Sequence, residues 1–169
     1  MIHKNSSHII LEELGKDCRR CGHCCSYGSG IVLESEVPRI ATKLKLSTEE
    51  FKEKYLEPHE CFSAKHYRFR QRREKGKPYG SCIFLTDEKL CEIHAVKPLY
   101  CRIGNCGPLA NDAIQWFHLN HSVDKFKPDS IREWKIYCEL KDVIPGGKLE
   151  ELVPDKETLA RILSYDILK

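Results

Sequence analysis

The feature that most constrains this chain is a run of four closely spaced cysteines. They are Cys18, Cys21, Cys24 and Cys25. Two residues separate each of the first three, a spacing that lets a tight loop aim successive thiolates at one centre. Because both zinc-binding loops and loops around a [4Fe-4S] cluster use this spacing, it predicts a metal site without choosing the metal.

Four further cysteines provide the ligands that would complete such a site. They are Cys82, Cys91, Cys101 and Cys106. The first two lie on either side of Thr86–Lys89, which the pattern predicts as the turn of a β-hairpin that brings Cys82 and Cys91 together. We therefore predict all eight cysteines as metal ligands, in one centre or two.

Other roles for the thiols remain open at this point. Buried cysteines can serve as small apolar side chains, and this role suits Cys61 and Cys138, which stand apart from the spacing pattern. Disulfides are a further alternative, but the crowded spacing favours metal. His94, three residues after Cys91, and His23, inside the cysteine loop, are additional ligand candidates.

Composition limits the compartment and the partners. The 169 residues include 28 Lys and Arg against 25 Asp and Glu, a near balance that does not call for a nucleic-acid partner. A basic run between Lys65 and Lys77 is the local exception, predicted either as a solvated strand face or as a contact for nucleic acid or an acidic protein. With no long apolar stretch and no signal-peptide pattern at the N-terminus, we expect a cytoplasmic protein without a membrane anchor.

The periodicity predicts an α+β fold, a small single domain with an irregular cysteine-rich core, a β-hairpin and surrounding helices. We divide it into an N-terminal extension at 1–17, the metal-binding core at 18–106 and a helical part at 107–169. Helices are expected near Ser35 and Pro38, after Ser47 with its capping-box sequence, from Asp129 or Ser130, and from Pro154 or Asp155.

The order of these motifs also resembles a known family. After the first cysteine run come Gly80-Ser81-Cys82-Ile83-Phe84-Leu85, Cys91-Glu92-Ile93-His94 and Lys97-Pro98-Leu99-Tyr100-Cys101-Arg102. Over residues 18–106 this order is similar to the CxxCxxCC family of zinc- or iron-chelating proteins, which includes the flagellin lysine N-methylases. The resemblance implies a metal centre and, for members related to the methylases, transfer of a methyl group from S-adenosylmethionine to protein lysines.

Three functions follow as hypotheses. The leading one is an iron-sulfur centre, [4Fe-4S] or otherwise, with an electron-transfer, sensing or catalytic-support role for an unidentified protein partner or substrate. The second is a zinc-stabilised interaction module that binds protein or nucleic acid. The third is the lysine methylase implied by the resemblance, so whether the chain is an enzyme stays open.

Overall fold

The computed structural model describes residues 1–168 and combines 45% helix with 13% strand, which confirms the α+β class. Contacts divide it into two compact units. Glu12–His59 and His66–Cys106 form one, here the cysteine unit; Met1–Leu11, Glu60–Lys65 and the chain from Gly107 onward form the other, here the helical unit. Within residues 1–168, no helix combines the length and the apolar composition needed to cross a bilayer.

The helices and strands follow one another in this order: α1 (His8–Gly15), α2 (His23–Tyr27), β1 (Ile31–Val32), α3 (Val37–Lys43), α4 (Thr48–Tyr55), β2 (Leu56–Cys61), β3 (Ala64–Phe69), β4 (Gln71–Arg73), β5 (Gly80–Cys82), α5 (Leu99–Ile103), α6 (Ala110–His121), α7 (Pro128–Leu140), α8 (Leu149–Leu152) and α9 (Lys156–Leu163). Short 3-10 turns lie at Glu34–Glu36 and His94–Val96.

Helix starts largely follow the predicted caps. The Ser47 hydroxyl accepts from the Glu50 amide at 3.1 Å while the Glu50 carboxylate accepts from the Ser47 amide at 2.9 Å, so the capping box at α4 is confirmed. Asp155 caps α9 through the Thr158 amide at 2.9 Å. The helix predicted near Ser35 instead begins with the 3-10 turn that leads into α3.

Two small sheets hold the cysteine unit. Strands β1, β3 and β2 lie side by side, with Ile31 opposite Arg68 and Val32 opposite Tyr67. Strands β4 and β5 form a separate antiparallel pair in which Gln71 lies opposite Cys82. The strand that carries Cys82 is thus paired with the preceding segment of chain.

The predicted hairpin around Thr86–Lys89 forms only in part. Its two flanking strands are reduced to a single bridge between Leu85 and Cys91, although the Thr86 amide still donates to the Leu90 carbonyl at 2.8 Å. The prediction of two paired strands here is wrong because the chain turns directly after β5, where the Leu85 amide donates to the Cys82 carbonyl at 3.0 Å. The turn itself remains.

Aromatic and aliphatic side chains close the core of the cysteine unit. Phe84 is central: it stacks on Tyr55 at a ring-centroid distance of 4.9 Å and meets Phe69 edge-on at 5.0 Å. Cys82 belongs to this buried core, and the partly buried Cys25 and Cys91 pack against it.

The helical unit has its own core around Trp134 of α7. The indole donates to the Gly147 carbonyl at 2.7 Å, and the ring meets Phe62 edge-on at 5.2 Å. Phe62 and Ser63, at the β2–β3 turn, both have positive φ. The Glu133 carboxylate accepts from the Ser63 amide and hydroxyl at 3.1 and 2.7 Å, which holds the turn in this strained form.

Candidate metal centre

Helix α2 places Cys24 and Cys25 side by side, with their sulfur atoms 3.8 Å apart. The preceding residue, Gly22, has φ 69°, and a β-carbon there would lie 2.8 Å from both the β-carbon and the carbonyl oxygen of Lys89. Only glycine fits both the left-handed backbone and this close approach. The local sequence therefore fixes where the loop ends and the thiol pair begins.

Three more thiols lie in the same unit and interact with this pair. Cys82 lies on β5, which packs against α2, and Cys91 is bridged to Leu85. Cys101 lies on α5, which packs against β1. Burial is the main cause that raises the pKa of Cys82, Cys91 and Cys101, and the charge of Cys24 raises the pKa of each of them further. We call Cys24, Cys25, Cys82, Cys91 and Cys101 the thiol cluster.

The absence of a β-carbon at Gly30 makes room for Cys101. A β-carbon at that position would lie 2.1 Å from the Cys101 sulfur and 3.6 Å from Cγ of Pro98. Cys101 as a whole is half-buried, but its sulfur lies directly against Gly30, where the chain enters β1.

Burial and mutual repulsion keep most of the cluster protonated when no cation is present. Burial raises the pKa of Cys82 to about 11, and the charge of Cys91 adds to the effect. Burial, followed by the charges of Cys82 and Cys91, also raises the pKa of Cys101. The hydrogen bond between the paired thiols lowers the pKa of Cys24 to about 6 and raises that of Cys25. A cation among these sulfurs would stabilise the thiolates and so offset the effects of burial and of mutual repulsion on their pKa values.

The other three predicted ligands lie on the surrounding loops. Cys18 and Cys21 lie between α1 and α2, half-buried and exposed respectively, and Cys106 is exposed just after α5. In the part of the chain that the structure describes, no three His, Cys, Asp or Glu side chains surround a common metal position.

The two remaining cysteines belong to the helical unit rather than to the cluster. The half-buried Cys61 donates from its sulfur to the Ser122 hydroxyl at 3.6 Å, and burial raises its pKa. Cys138 is half-buried on α7. They therefore serve as internal controls for any experiment on the thiol cluster.

The histidine candidates differ in their surroundings. His94 follows Cys91 in the 3-10 turn, and its amide donates to the Cys91 carbonyl at 3.1 Å. Burial lowers the pKa of His94, and Lys97 and Arg20 lower it further. The exposed His23 packs its ring edge-on against Tyr27 at 5.4 Å.

Most arginines of the predicted basic strand face have partners within the cysteine unit. Arg68 pairs with Glu57 at 2.7 Å, and Arg73 hydrogen-bonds the same carboxylate at 3.1 Å. Arg70 donates to the Glu53 carbonyl at 3.0 Å. These contacts give the basic run a role in holding the strands, so its composition alone does not indicate a nucleic-acid surface.

One supporting residue escaped the sequence analysis because its partners are distant in the chain. Glu36 is buried; its carboxylate accepts from the Leu99 amide, the first of α5, at 2.7 Å and lies 3.8 Å from Arg102. It thereby fixes the start of the helix that carries Cys101. A lone Glu in a helical pattern gives no local signal of this role.

The donor set fits a soft metal centre. Five thiols with no carboxylate among them are the donors preferred by zinc and by iron-sulfur clusters alike. Beside them, Gln71 lies opposite Cys82, and its amide nitrogen donates to the Ser29 hydroxyl at 3.3 Å. Within residues 1–168 the buried Gln71 side-chain oxygen has no hydrogen-bond partner, as expected where a bound group or water belongs.

A family comparison agrees with this donor set. The model of the CxxCxxCC family, described as a zinc- or iron-chelating domain, matches residues 17–135, well over half of the chain. The chain belongs to the CxxCxxCC family. The matched segment of this CxxCxxCC protein contains all eight cysteines predicted as ligands, which supports metal binding through cysteines. No solved structure matches the chain.

Proposed function

We propose that this protein holds a thiolate-ligated metal centre, most simply an iron-sulfur cluster, in its cysteine unit. The observation that carries the proposal is the thiol cluster. The Cys24 and Cys25 sulfurs lie 3.8 Å apart on α2, which packs against the strand of Cys82, and Cys91 and Cys101 lie on two further segments of the same unit. Cys18 and Cys21, on the loop that precedes α2, are the further ligand candidates.

Within this proposal some residues ligate the metal and others position those ligands. One or both of Cys24 and Cys25, together with Cys82, Cys91 and Cys101, hold the metal. Bound there, an iron-sulfur cluster supplies one-electron redox chemistry, and zinc supplies structural cross-linking. The chain itself contributes a backbone that brings distant cysteines together and the burial of Cys82 at the edge of the apolar core.

Zinc is the alternative metal, and the same thiols support it. The zinc-stabilised interaction module would use the cluster as a fold-stabilising link between α2, β5 and α5. Lysine methylation, an expectation from the family resemblance, stays a prediction, as do a cytoplasmic location and a protein or nucleic-acid partner.

The test is metal analysis of the full chain purified without oxygen, combined with single substitutions. We expect stoichiometric metal in the wild type, and its loss in Cys82→Ser and Cys101→Ser. Cys138→Ser, a half-buried cysteine of the helical unit, is the matched control and should retain the metal. Iron with acid-labile sulfide and visible absorbance would identify a cluster, whereas a colourless zinc protein would identify the alternative.

Equal metal content in the wild type, Cys82→Ser and Cys101→Ser would overturn the proposed site. A comparable loss in Cys138→Ser would show that any cysteine substitution disturbs the protein, and it would remove the support for the cluster.

A further inference from the structure

Arg72 occupies a distinct position among the arginines of the basic run. It lies on β4 opposite Ser81 of β5, and one of its guanidinium nitrogens donates to the Cys82 carbonyl at 3.1 Å and to the Leu85 carbonyl. These two carbonyls mark the beginning and the end of a turn that the Leu85 amide closes onto the Cys82 carbonyl at 3.0 Å. The guanidinium therefore holds both ends of this turn.

The clamped turn connects two members of the thiol cluster. Cys82 begins it, and Leu85, at its end, bridges to Cys91. The Glu92 amide also donates to the Phe84 carbonyl at 3.0 Å, so the chain around Cys91 is tied to the same turn. Movement of this turn would change the separation of the two sulfurs.

The charge of Arg72 is also available to the thiols. Arg68 and Arg73 share the Glu57 carboxylate, whereas Arg72 forms no ion pair with any of the residues from 1 to 168. One of its guanidinium nitrogens lies 3.1 Å from the Cys82 carbonyl oxygen, which places the positive charge beside that cysteine. A divalent ion surrounded by four thiolates keeps a net negative charge, which a nearby guanidinium offsets.

We propose that Arg72 is a positioning residue of the metal centre, which fixes the turn between Cys82 and Cys91 and offsets the negative charge of the ligated thiolates. This inference rests on the proposed metal-binding function. It gives Arg72 a role at the metal centre, whereas the neighbouring arginines hold the strands or face solvent. Removal of a group that orients metal ligands typically lowers metal affinity by about ten- to a hundredfold.

The test compares Arg72→Gln, Arg72→Lys and the control Arg73→Gln in the full chain. Arg73 is the next residue on β4, and its guanidinium bonds the Glu57 carboxylate rather than the clamped turn. The probes are Zn²⁺ and Co²⁺ added to metal-free protein, with affinity measured by chelator competition and thiolate ligation by the Co²⁺ charge-transfer absorption. Far-ultraviolet circular dichroism monitors the fold.

We expect Arg72→Gln to bind about ten- to a hundredfold more weakly and with a changed Co²⁺ spectrum. Arg72→Lys, which keeps the charge but not the two-carbonyl clamp, should fall between Arg72→Gln and the wild type, and Arg73→Gln should match the wild type. Affinity and spectrum unchanged in Arg72→Gln, or lowered equally in Arg73→Gln, would overturn the inference while leaving the metal site intact. If Arg72→Gln fails to fold, Arg72→Lys decides: metal affinity equal to that of the wild type would overturn the proposed role of the two-carbonyl contact. A wild-type chain that binds neither ion overturns the proposed function itself.

Discussion

Adding one methyl group at Gly30 should impair metal binding. The new β-carbon would lie 2.1 Å from the Cys101 sulfur, whereas ordinary contact begins at 3.4 Å. The sulfur or the backbone must therefore move by about 1.3 Å, several times the roughly 0.2 Å tolerance of metal–ligand distances. The φ angle of Gly30 lies outside the left-handed region, so the effect of Gly30→Ala comes from this overlap and not from backbone strain.

The magnitude follows from the cost of overpacking, about 1–3 kcal/mol. In the metal-free chain the Cys101 thiol can rotate away and avoid much of this cost, whereas a ligated sulfur cannot. Most of the cost should therefore appear in metal binding, as a loss of affinity of about five- to a hundredfold. The assay is chelator competition with Zn²⁺, alongside urea unfolding of the metal-free protein.

Gly28→Ala is the matched control. Gly28 has an extended backbone with φ −168°, and its new β-carbon would meet only the Cys24 carbonyl oxygen, at an ordinary 3.7 Å. We expect this variant to bind metal as the wild type does. Wild-type affinity in Gly30→Ala, or an equal loss in both variants, would refute the placement of Cys101 in the centre.

Three further outcomes are expected. Folding raises the pKa of Cys82 from 9.0 to about 11, so its contribution to stability is present below pH 9 and is lost as pH rises through 11. The free energy of unfolding of the metal-free protein, measured in urea, should therefore fall over this pH range. Cys82→Ser should make the fall smaller. Glu36→Gln replaces the charged acceptor of the Leu99 amide by a neutral one and should lower the free energy of unfolding by about 1–1.5 kcal/mol in urea. A change below about 0.5 kcal/mol would contradict its role at α5. Glu133→Ala should weaken the Ser63 turn by about 1–2 kcal/mol with metal content unchanged, and a parallel loss of metal would show that the helical unit affects the centre.

Local signals predicted the features of this fold that depend on neighbouring residues. The Ser47 capping box and the Asp155 cap each act within one turn of chain, and each is found as expected. The turn between Cys82 and Cys91 is equally local, and it is present, with the Thr86 amide bonded to the Leu90 carbonyl and Leu85 bridged to Cys91.

Long-range pairing could not be predicted in the same way. The basic run between Lys65 and Lys77 indicated a strand, but nothing in the sequence pattern showed that β4 would pair with β5. Similarly, Arg72 has the same sequence context as its neighbours, and only the folded chain shows that its partners are two carbonyls of the clamped turn. Such choices depend on contacts between distant segments.

The central claim is that cysteine sulfurs alone ligate the metal. X-ray absorption spectroscopy at the metal edge of the full chain, purified without oxygen, tests it most directly because it reports the atoms that surround the metal. We expect a shell of sulfur neighbours at about 2.3 Å, with an additional iron–iron distance if the centre is a cluster. A shell dominated by nitrogen or oxygen, or a protein without bound metal, would contradict the account.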